Sequence, residues 1–492
     1  MNHASNTRTV AVIGAGPVGL AAAAHLLERG FQPVIFEAGA SPASNLESFR
    51  HVRLFSPWRY NIDHAARRLL ARSGWQAPPD EDLPGAGEIV DRYLAPLAAL
   101  PEIASALRLG SRVQSVSREG FDKVKTRGRE EAPFVLRVHA DGRVEEHRAW
   151  AVLDASGTWG TPNPLGANGL PAIGEREHAA HISYGMPDIL GAQRPRFAGR
   201  RVVVAGAGHS AAGNLLALAT LAESDPRTRI VWTIRGNNFA RIFGGGENDG
   251  LAARGALGAR LRRLVDEGRL EVRADFRVEA IRREGGALSI EGRSPDGSPV
   301  RIEAVDEIIV SAGSRPDHTI ASEIRVKLDA WLESTEALAP LIDPNEHSCG
   351  TVRPHGHREL AHPEARYYAI GAKSYGRAPN FLLATGYEQA RSVAAALAGD
   401  LAAADDVQLE LPQTGVCSTQ FDEAPGACCA PAPAPSPAAS PAAASSCCGG
   451  PPKARADACC VRDEVAKDEG KAGCGCASAP GKPKPVMTAT CC

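Results

Sequence analysis

The first cysteine of this 492-residue chain is Cys349, and the remaining eleven fall from Cys417 onward. A core without cysteine rests on no disulfide. Net charge is nearly absent too. The 55 Lys and Arg against 57 Asp and Glu leave a formal −2, which argues against nucleic acid or an anionic membrane as the main partner. No run approaches the ~18 uninterrupted apolar residues of a membrane helix, so no membrane insertion is expected. The opening MNHASNTRTV lacks a basic-then-apolar signal pattern and enters a strand almost at once, which points to a cytoplasmic protein. Aromatics are scarce at 5%, but 43% of the chain is hydrophobic, enough for two or three domains with sizeable cores.

Composition divides the chain. Residues 8 to about 405 mix apolar strands, Ala/Leu-rich helices and glycine turns. Beyond them, Ala430 to Ser446 contains only Ala, Pro and Ser, a stretch that buries nothing and donates few backbone N–H groups. The expectation is a folded region followed by a disordered, Ala/Pro-linked, Cys-rich tail over 412–492.

Two segments carry a nucleotide-binding pattern. In TVAVIGAGPVGLAAAAHLLERGFQPVIFEA an apolar strand runs into Gly14-x-Gly16-x-x-Gly19, then a helix, then a second strand ending at Glu37. Gly14 suits the tight turn, Gly16 lets backbone approach a pyrophosphate, and Gly19 lets helix and strand pack closely. Glu37 stands where an acid accepts hydrogen bonds from a ribose diol. The pattern recurs in RVVVAGAGHSAAGNLLALATLAESDPRTRIVWTIR, with Gly206-x-Gly208-x-x-Ala211 after a Val-rich strand. There the second strand leads to Arg235. An acid would repel a 2′-phosphate whereas Arg pairs with it, so NADPH is expected over NADH.

Two such units resemble the two-dinucleotide-binding-domain flavoproteins, in which FAD occupies the first domain and NAD(P)H the inserted second. Asp154-Ala155-Ser156-Gly157 and Ser311-Ala312-Gly313 look like that family's two crossings between domains. The segment YYAIGAKSYGRAPNFLLATGYEQARSVAAAL is similar to the strand, loop and helix that close over the flavin. The resemblance implies flavin contacts at Gly371 and at the helix start near Thr385, although Gly371-Ala372 stands where the family usually has Gly-Asp. The implied fold class is α/β with two Rossmann-like domains. Residues 1–165 and 331–405 form the FAD-binding domain, and 166–330 the NAD(P)H-binding domain.

The absence of cysteine before Cys349 argues against a disulfide reductase with a thiol pair beside the flavin. The remaining resemblance is to class B flavin-containing monooxygenases and to predicted flavoproteins associated with metal resistance. It implies a catalytic Asn61, in Phe55-Ser-Pro-Trp-Arg-Tyr-Asn61, close to the flavin. The monooxygenase fingerprint between the domains survives only as His181 and Tyr184, without its Phe and Gly. A further cluster, His347, Cys349, His355 and His357, matches no closed zinc spacing.

The tail's adjacent pairs Cys428-Cys429, Cys447-Cys448, Cys459-Cys460 and Cys491-Cys492, with Cys474-x-Cys476, suit soft ions, because neighbouring residues rarely pair as disulfides. Arsenite, mercuric and cuprous ions are the candidates, and the pairs resemble those of arsenic-handling sensors and chaperones. The overall expectation is an FAD- and NADPH-dependent, monooxygenase-like oxidoreductase acting on a small molecule with oxygen, linked to arsenic or soft-metal resistance. A homodimer is compatible with it. The rivals are a flavin reductase using tail thiols, and a flavoprotein whose tail is a non-catalytic metal-binding module.

Overall fold

The protein is described here from a computed structural model, which covers residues 8–244, 252–347, 352–409 and 411. Two parallel sheets organise it, and they share one spatial arrangement of strands, differing in where one outer strand falls along the chain. In the first, β1 (Thr9–Ile13), β2 (Gln32–Phe36), β3 (Leu107–Arg108), β7 (Ala151–Asp154) and β16 (Tyr367–Ala369) lie in the order β16-β7-β1-β2-β3. In the second, β8 (Ile182–Tyr184), β9 (Arg201–Ala205), β10 (Arg229–Thr233), β11 (Glu271–Arg273) and β15 (Glu307–Val310) lie in the order β11-β10-β9-β15-β8.

Between β3 and β7, and again between β11 and β15, the chain forms a three-stranded antiparallel meander. The first is β4 (Arg112–Arg118), β5 (Phe134–Ala140) and β6 (Arg143–Ala149); the second is β12 (Arg277–Glu284), β13 (Ala287–Arg293) and β14 (Pro299–Val305). Each meander returns the chain to its parent sheet beside the central strand, β7 next to β1 and β15 next to β9. The second unit is inserted between β7 and β16. The outer strand of the first sheet therefore comes from the far end of the folded chain.

The central strands are buried on both faces, as parallel sheets require. Val10 and Val12 enter one core while Ala11 and Ile13 enter another. Val202 and Val204 likewise part from Val203 and Ala205. This is the period-two alternation of a strand filled from both sides. Among the described residues five helices reach eight residues. They are α1 (Pro17–Glu28), α2 (His64–Ala71), α3 (His209–Ser224), α4 (Ala252–Asp266) and α5 (Leu383–Leu397). Pro17 opens α1, where its missing N–H is no loss, and Gly30 ends its last turn with a positive φ. Four successive alanines, Ala21–Ala24, let α1 lie flat in its core. Among the described residues no helix is long and apolar enough to cross a membrane.

A buried charge cluster ties the first meander to the returning strand. Glu364 accepts from Arg118 Nε at 2.8 Å and from Arg129 Nη2 at 2.7 Å, and all three side chains are essentially excluded from water. The Arg118 guanidinium also lies 3.6 Å from the centre of the Phe134 ring. Burial pushes the Glu364 carboxyl up, but hydrogen bonds from both arginines outweigh it and hold it below the usual carboxylate range. Removing the acid strands two buried cations, so Glu364→Gln is expected to cost about 3–5 kcal/mol in denaturant unfolding. Because the folded pKa is depressed, this stabilisation is complete above the unfolded carboxylate value and is lost as pH falls through the folded one.

Candidate functional site

The two glycine loops are geometric duplicates. Gly14 (φ +97) turns the chain out of β1, and a Cβ there would stand 2.8 Å from the Ala155 carbonyl oxygen. Gly206 (φ +142) does the same after β9, where a Cβ would overlap the Ser311 carbonyl. The neighbouring crossings are hydrogen-bonded to these strands, Ala155 N–H to Ile13 O at 2.9 Å and Ser311 N–H to Ala205 O at 2.7 Å. Gly19 presses on the Gly14 carbonyl with no room for a methyl, whereas its counterpart Ala211 carries one and is fully buried.

The second glycine of each loop behaves differently. A Cβ on Gly16 or Gly208 would meet nothing within 4 Å. Both have ordinary extended backbone, φ −74° and ψ −176° at Gly16, φ −105° and ψ 179° at Gly208. Neither the chain's own packing nor its backbone demands glycine there. Each immediately precedes a long helix whose first N–H groups lack intrahelical partners. An open cradle before a helix amino end is what a pyrophosphate fits.

The second strands set the two loops apart. Glu37, just after β2, accepts from Ala15 N–H and Gly39 N–H, both at 2.8 Å, and so lies against the first loop. Arg235, two residues beyond β10, is exposed and donates to the Ala167 carbonyl at 3.2 Å.

The carboxyl-terminal elements close on the first loop. Cβ atoms on Gly371 and Gly386 would lie 3.3 Å and 2.5 Å from Val18, the residue after Pro17. The Gly371 N–H is held by Gln389 Oε1 at 2.7 Å, and Thr385 is buried in the first turn of α5, which begins at Leu383. Behind them lies an ion pair that the sequence reading did not anticipate. Lys373 Nζ is 2.5 Å from Asp154 Oδ2, with both side chains almost wholly buried. Burial pushes the Asp154 carboxyl up, yet the Lys373 ammonium and hydrogen bonds from Ser156 hold it below its ordinary range. A lysine two residues past Gly371 was the sole sequence signal.

Asn61 is buried, and its amide donates to the carbonyls of Ser56 (2.7 Å) and Pro57 (2.9 Å). Its own carbonyl accepts from the Tyr387 hydroxyl of α5 at 2.9 Å. In this arrangement Asn61 braces the 55–61 loop against α5. From that loop Phe55 meets the His209 ring edge-on at 5.4 Å, an aromatic contact from the first unit to the second, while Phe49 meets Trp159 at 4.6 Å within the first.

His181 sits away from both loops. Its Nδ1 is 3.1 Å from the Asp306 carbonyl and its Nε2 2.7 Å from Arg283. His355 bonds Gln389 at 3.0 Å and His357 bonds Asp405 at 3.0 Å. Among the described residues no three His, Cys, Asp or Glu side chains gather in a way that holds a metal. Cys349 and all the tail cysteines lie outside the described residues.

Valine at Gly16 or Gly208 is expected to leave the melting temperature of the ligand-free protein close to that of the ligand-free parent, because each Cβ enters open space. Valine at Gly14 or Gly206 should lower it markedly, through positive φ and contact with the neighbouring crossing. Thermal melts of the four variants check this.

Residues 12–76 match the NAD(P)-binding Rossmann-like domain family. No curated protein sequence matches the chain. Among solved structures, the bacillithiol disulfide reductase of Bacillus cereus is similar at 19% identity, over 80% of this chain and 99% of that one, with a TM-score of 0.59. The FAD-bound cadaverine monooxygenase of Erwinia amylovora is similar at 14% identity, over 86% of this chain and all of the other, at 0.56. The ornithine N-hydroxylase of a Kutzneria species, solved with reduced FAD and NADP+, is similar at 16% identity, over 80% of this chain and 99% of that one, at 0.52. Beyond the match over residues 12–76, the chain thus shares the fold of these monooxygenases and disulfide reductases, two Rossmann-like units with the second inserted into the first.

Proposed function

We propose that this chain is an FAD-dependent, NADPH-using oxidoreductase of monooxygenase type, acting on a small molecule with oxygen. The observation that carries this reading is the pair of open cradles at Gly16 and Gly208, one beside an acid and the other leading to an arginine. FAD fits the first. Gly14, Gly16 and Gly19 shape the loop, Glu37 faces the adenosine ribose, and Gly371 and Thr385 belong to the closing elements. NADPH fits the second, with Gly206, Gly208 and Ala211 shaping the loop and Arg235 pairing with the 2′-phosphate. When bound, the flavin accepts hydride from the nicotinamide and passes electrons to oxygen or substrate.

The chain's own residues bind, orient and shield. Glu37, already held by two backbone N–H groups, offers its remaining lone pairs to a diol. Asn61 fixes the 55–61 loop, and Phe55 carries that loop to His209 at the start of α3. Dithiol chemistry in the folded region has no supporting residue, since no cysteine precedes Cys349.

The proposal extends to the tail. Its four Cys-Cys pairs and Cys474-x-Cys476 capture arsenite or another thiophilic ion, and this links the oxidoreductase to soft-metal resistance.

Purified protein is expected to hold FAD and not FMN. Gly16→Val should lose the FAD, while Gly208→Val keeps it and loses reduction by NADPH. NADPH should outpace NADH, and Arg235→Ala should erase a preference of roughly ten- to hundredfold, the worth of one charge-assisted hydrogen bond. Stopped-flow reduction with each nucleotide reads this out; a preference surviving in Arg235→Ala refutes the assignment. Oxygen uptake coupled to NADPH oxidation distinguishes the oxygen-using reading from a reductase.

Truncation after about residue 412 should spare FAD and NADPH-driven flavin reduction but abolish tight arsenite binding, since Cys349 alone cannot supply two thiolates. Thiol titration with and without arsenite measures it. Loss of flavin reduction on truncation favours the tail-thiol reductase instead.

A further inference from the structure

The first sheet reverses its strand order between β1 and β7. In open parallel sheets ligands bind in the crevice outside the carboxyl ends of the strands at such a reversal. Asp154 is the last residue of β7 and is in register with Ile13, the last residue of β1. Lys373 arrives from the turn after β16, the neighbour of β7 on its other side. The buried ion pair therefore lies at the edge of the sheet where a ligand is expected.

Its hydrogen bonds are fully assigned. Asp154 Oδ2 accepts from Lys373 Nζ at 2.5 Å and from the Tyr367 hydroxyl at 3.1 Å. Oδ1 accepts from the Ser156 hydroxyl at 2.6 Å and the Ser156 N–H at 3.1 Å. Lys373 Nζ also donates to Ser156 Oγ at 3.0 Å. Asp154, Lys373 and Tyr367 are at most 1% exposed, and Ser156 is the one member of the network with access to the outside.

A buried ion pair is a costly way to hold a fold together, since apolar residues of similar volume do as well or better. This one fixes the hydroxyl of half-buried Ser156. Ser156 gives its proton to the carboxylate and takes one from the ammonium. A hydroxyl oxygen has two lone pairs, so one remains as an oriented acceptor. It stands on the crossing whose Ala155 carbonyl abuts Gly14, beside the first cradle.

We infer that Ser156 is the acceptor that takes a hydroxyl of the cofactor's polyol arm, and that the buried Asp154–Lys373 pair is its positioning device. The inference rests on the FAD reading above and deepens it. The ligand chemistry is a chain of secondary alcohols joining a pyrophosphate to a ring system. A group of that kind donates hydrogen bonds, and an acceptor without a proton of its own to give is the matching partner.

The test measures FAD and ADP affinities of the full chain after removal of its flavin. Ser156→Ala should weaken FAD about three- to tenfold, the worth of one neutral hydrogen bond. ADP, which lacks the polyol, should bind it as it binds the parent. Ser156→Thr, which keeps the hydroxyl, should restore FAD affinity. Lys373→Met should weaken FAD as well, and the melting temperature of the flavin-free protein separates that effect from general loosening. Ser156→Ala with parental FAD affinity overturns the inference while leaving the FAD reading intact. Equal losses for ADP and FAD overturn it too, because the defect then lies in the shared adenylate half. A parent chain that binds ADP but no FAD refutes the function reading and this inference together.

Discussion

Everything around the two glycine loops depends on one steric constraint, the backbone-to-backbone approach between a glycine loop and the crossing beside it. Gly14 lies against Ala155, and Gly206 lies against Ser311, with no room for a Cβ in either place. That contact sets the depth of the crevice at the carboxyl edge of each sheet. It also fixes the direction in which the following helix leaves. With the first glycine spent on packing and the third position, Gly19 or Ala211, buried against the core, only the middle glycine faces open space. The division of labour within each loop is thus a consequence of how closely two parallel strands and a helix must meet.

The duplicated topology follows the same logic. Each unit is a central strand, a helix, a second strand, a meander and a return beside the starting strand. The last step brings the return crossing against the glycine loop. The units differ where their chemistry should differ: Glu37 is drawn onto its own loop by two N–H donors, whereas Arg235 is exposed and anchored by a single carbonyl. A carboxylate gathers backbone donors around itself; a guanidinium at the same topological point must look outward for its acceptor.

Much of this was legible in the sequence because it is local. Strand, turn, helix and second strand of each loop lie within about thirty-five residues, and glycine spacing encodes steric demands directly. The helix near Thr385 begins two residues earlier, at Leu383, and the strand before Arg235 ends at Thr233. Charge partnerships were not legible. Asp154 and Lys373 are separated by more than two hundred residues, and Glu364 meets arginines equally remote in sequence. Nothing in spacing or composition announces such a pair, since any Lys or Asp reads as surface until the topology brings its partner. The local partners of Asn61 were hidden for a related reason. Its amide is committed to carbonyls of its own loop, a local turn geometry that a family motif does not specify.

The two buried charge networks bracket the same short element. β16 spans only Tyr367–Ala369, forms the edge of its sheet, and arrives after the whole inserted unit. Three residues of parallel pairing are too few to choose a register, and a slip by one residue would exchange the faces of Tyr367 and Tyr368. Glu364, three residues before the strand, is fixed by Arg118 and Arg129 of the first meander region; Lys373, four residues after it, is fixed by Asp154 of the adjoining strand. Ion pairs tolerate misplacement poorly in a dry interior, because a displaced charge loses its partner and regains no water. Charges at both ends therefore specify what the strand cannot specify for itself. With β16 in register, Gly371 meets Val18 and α5 brings its first turn to the first glycine loop, so the elements that close on that loop are positioned by electrostatics acting at each end of a three-residue strand.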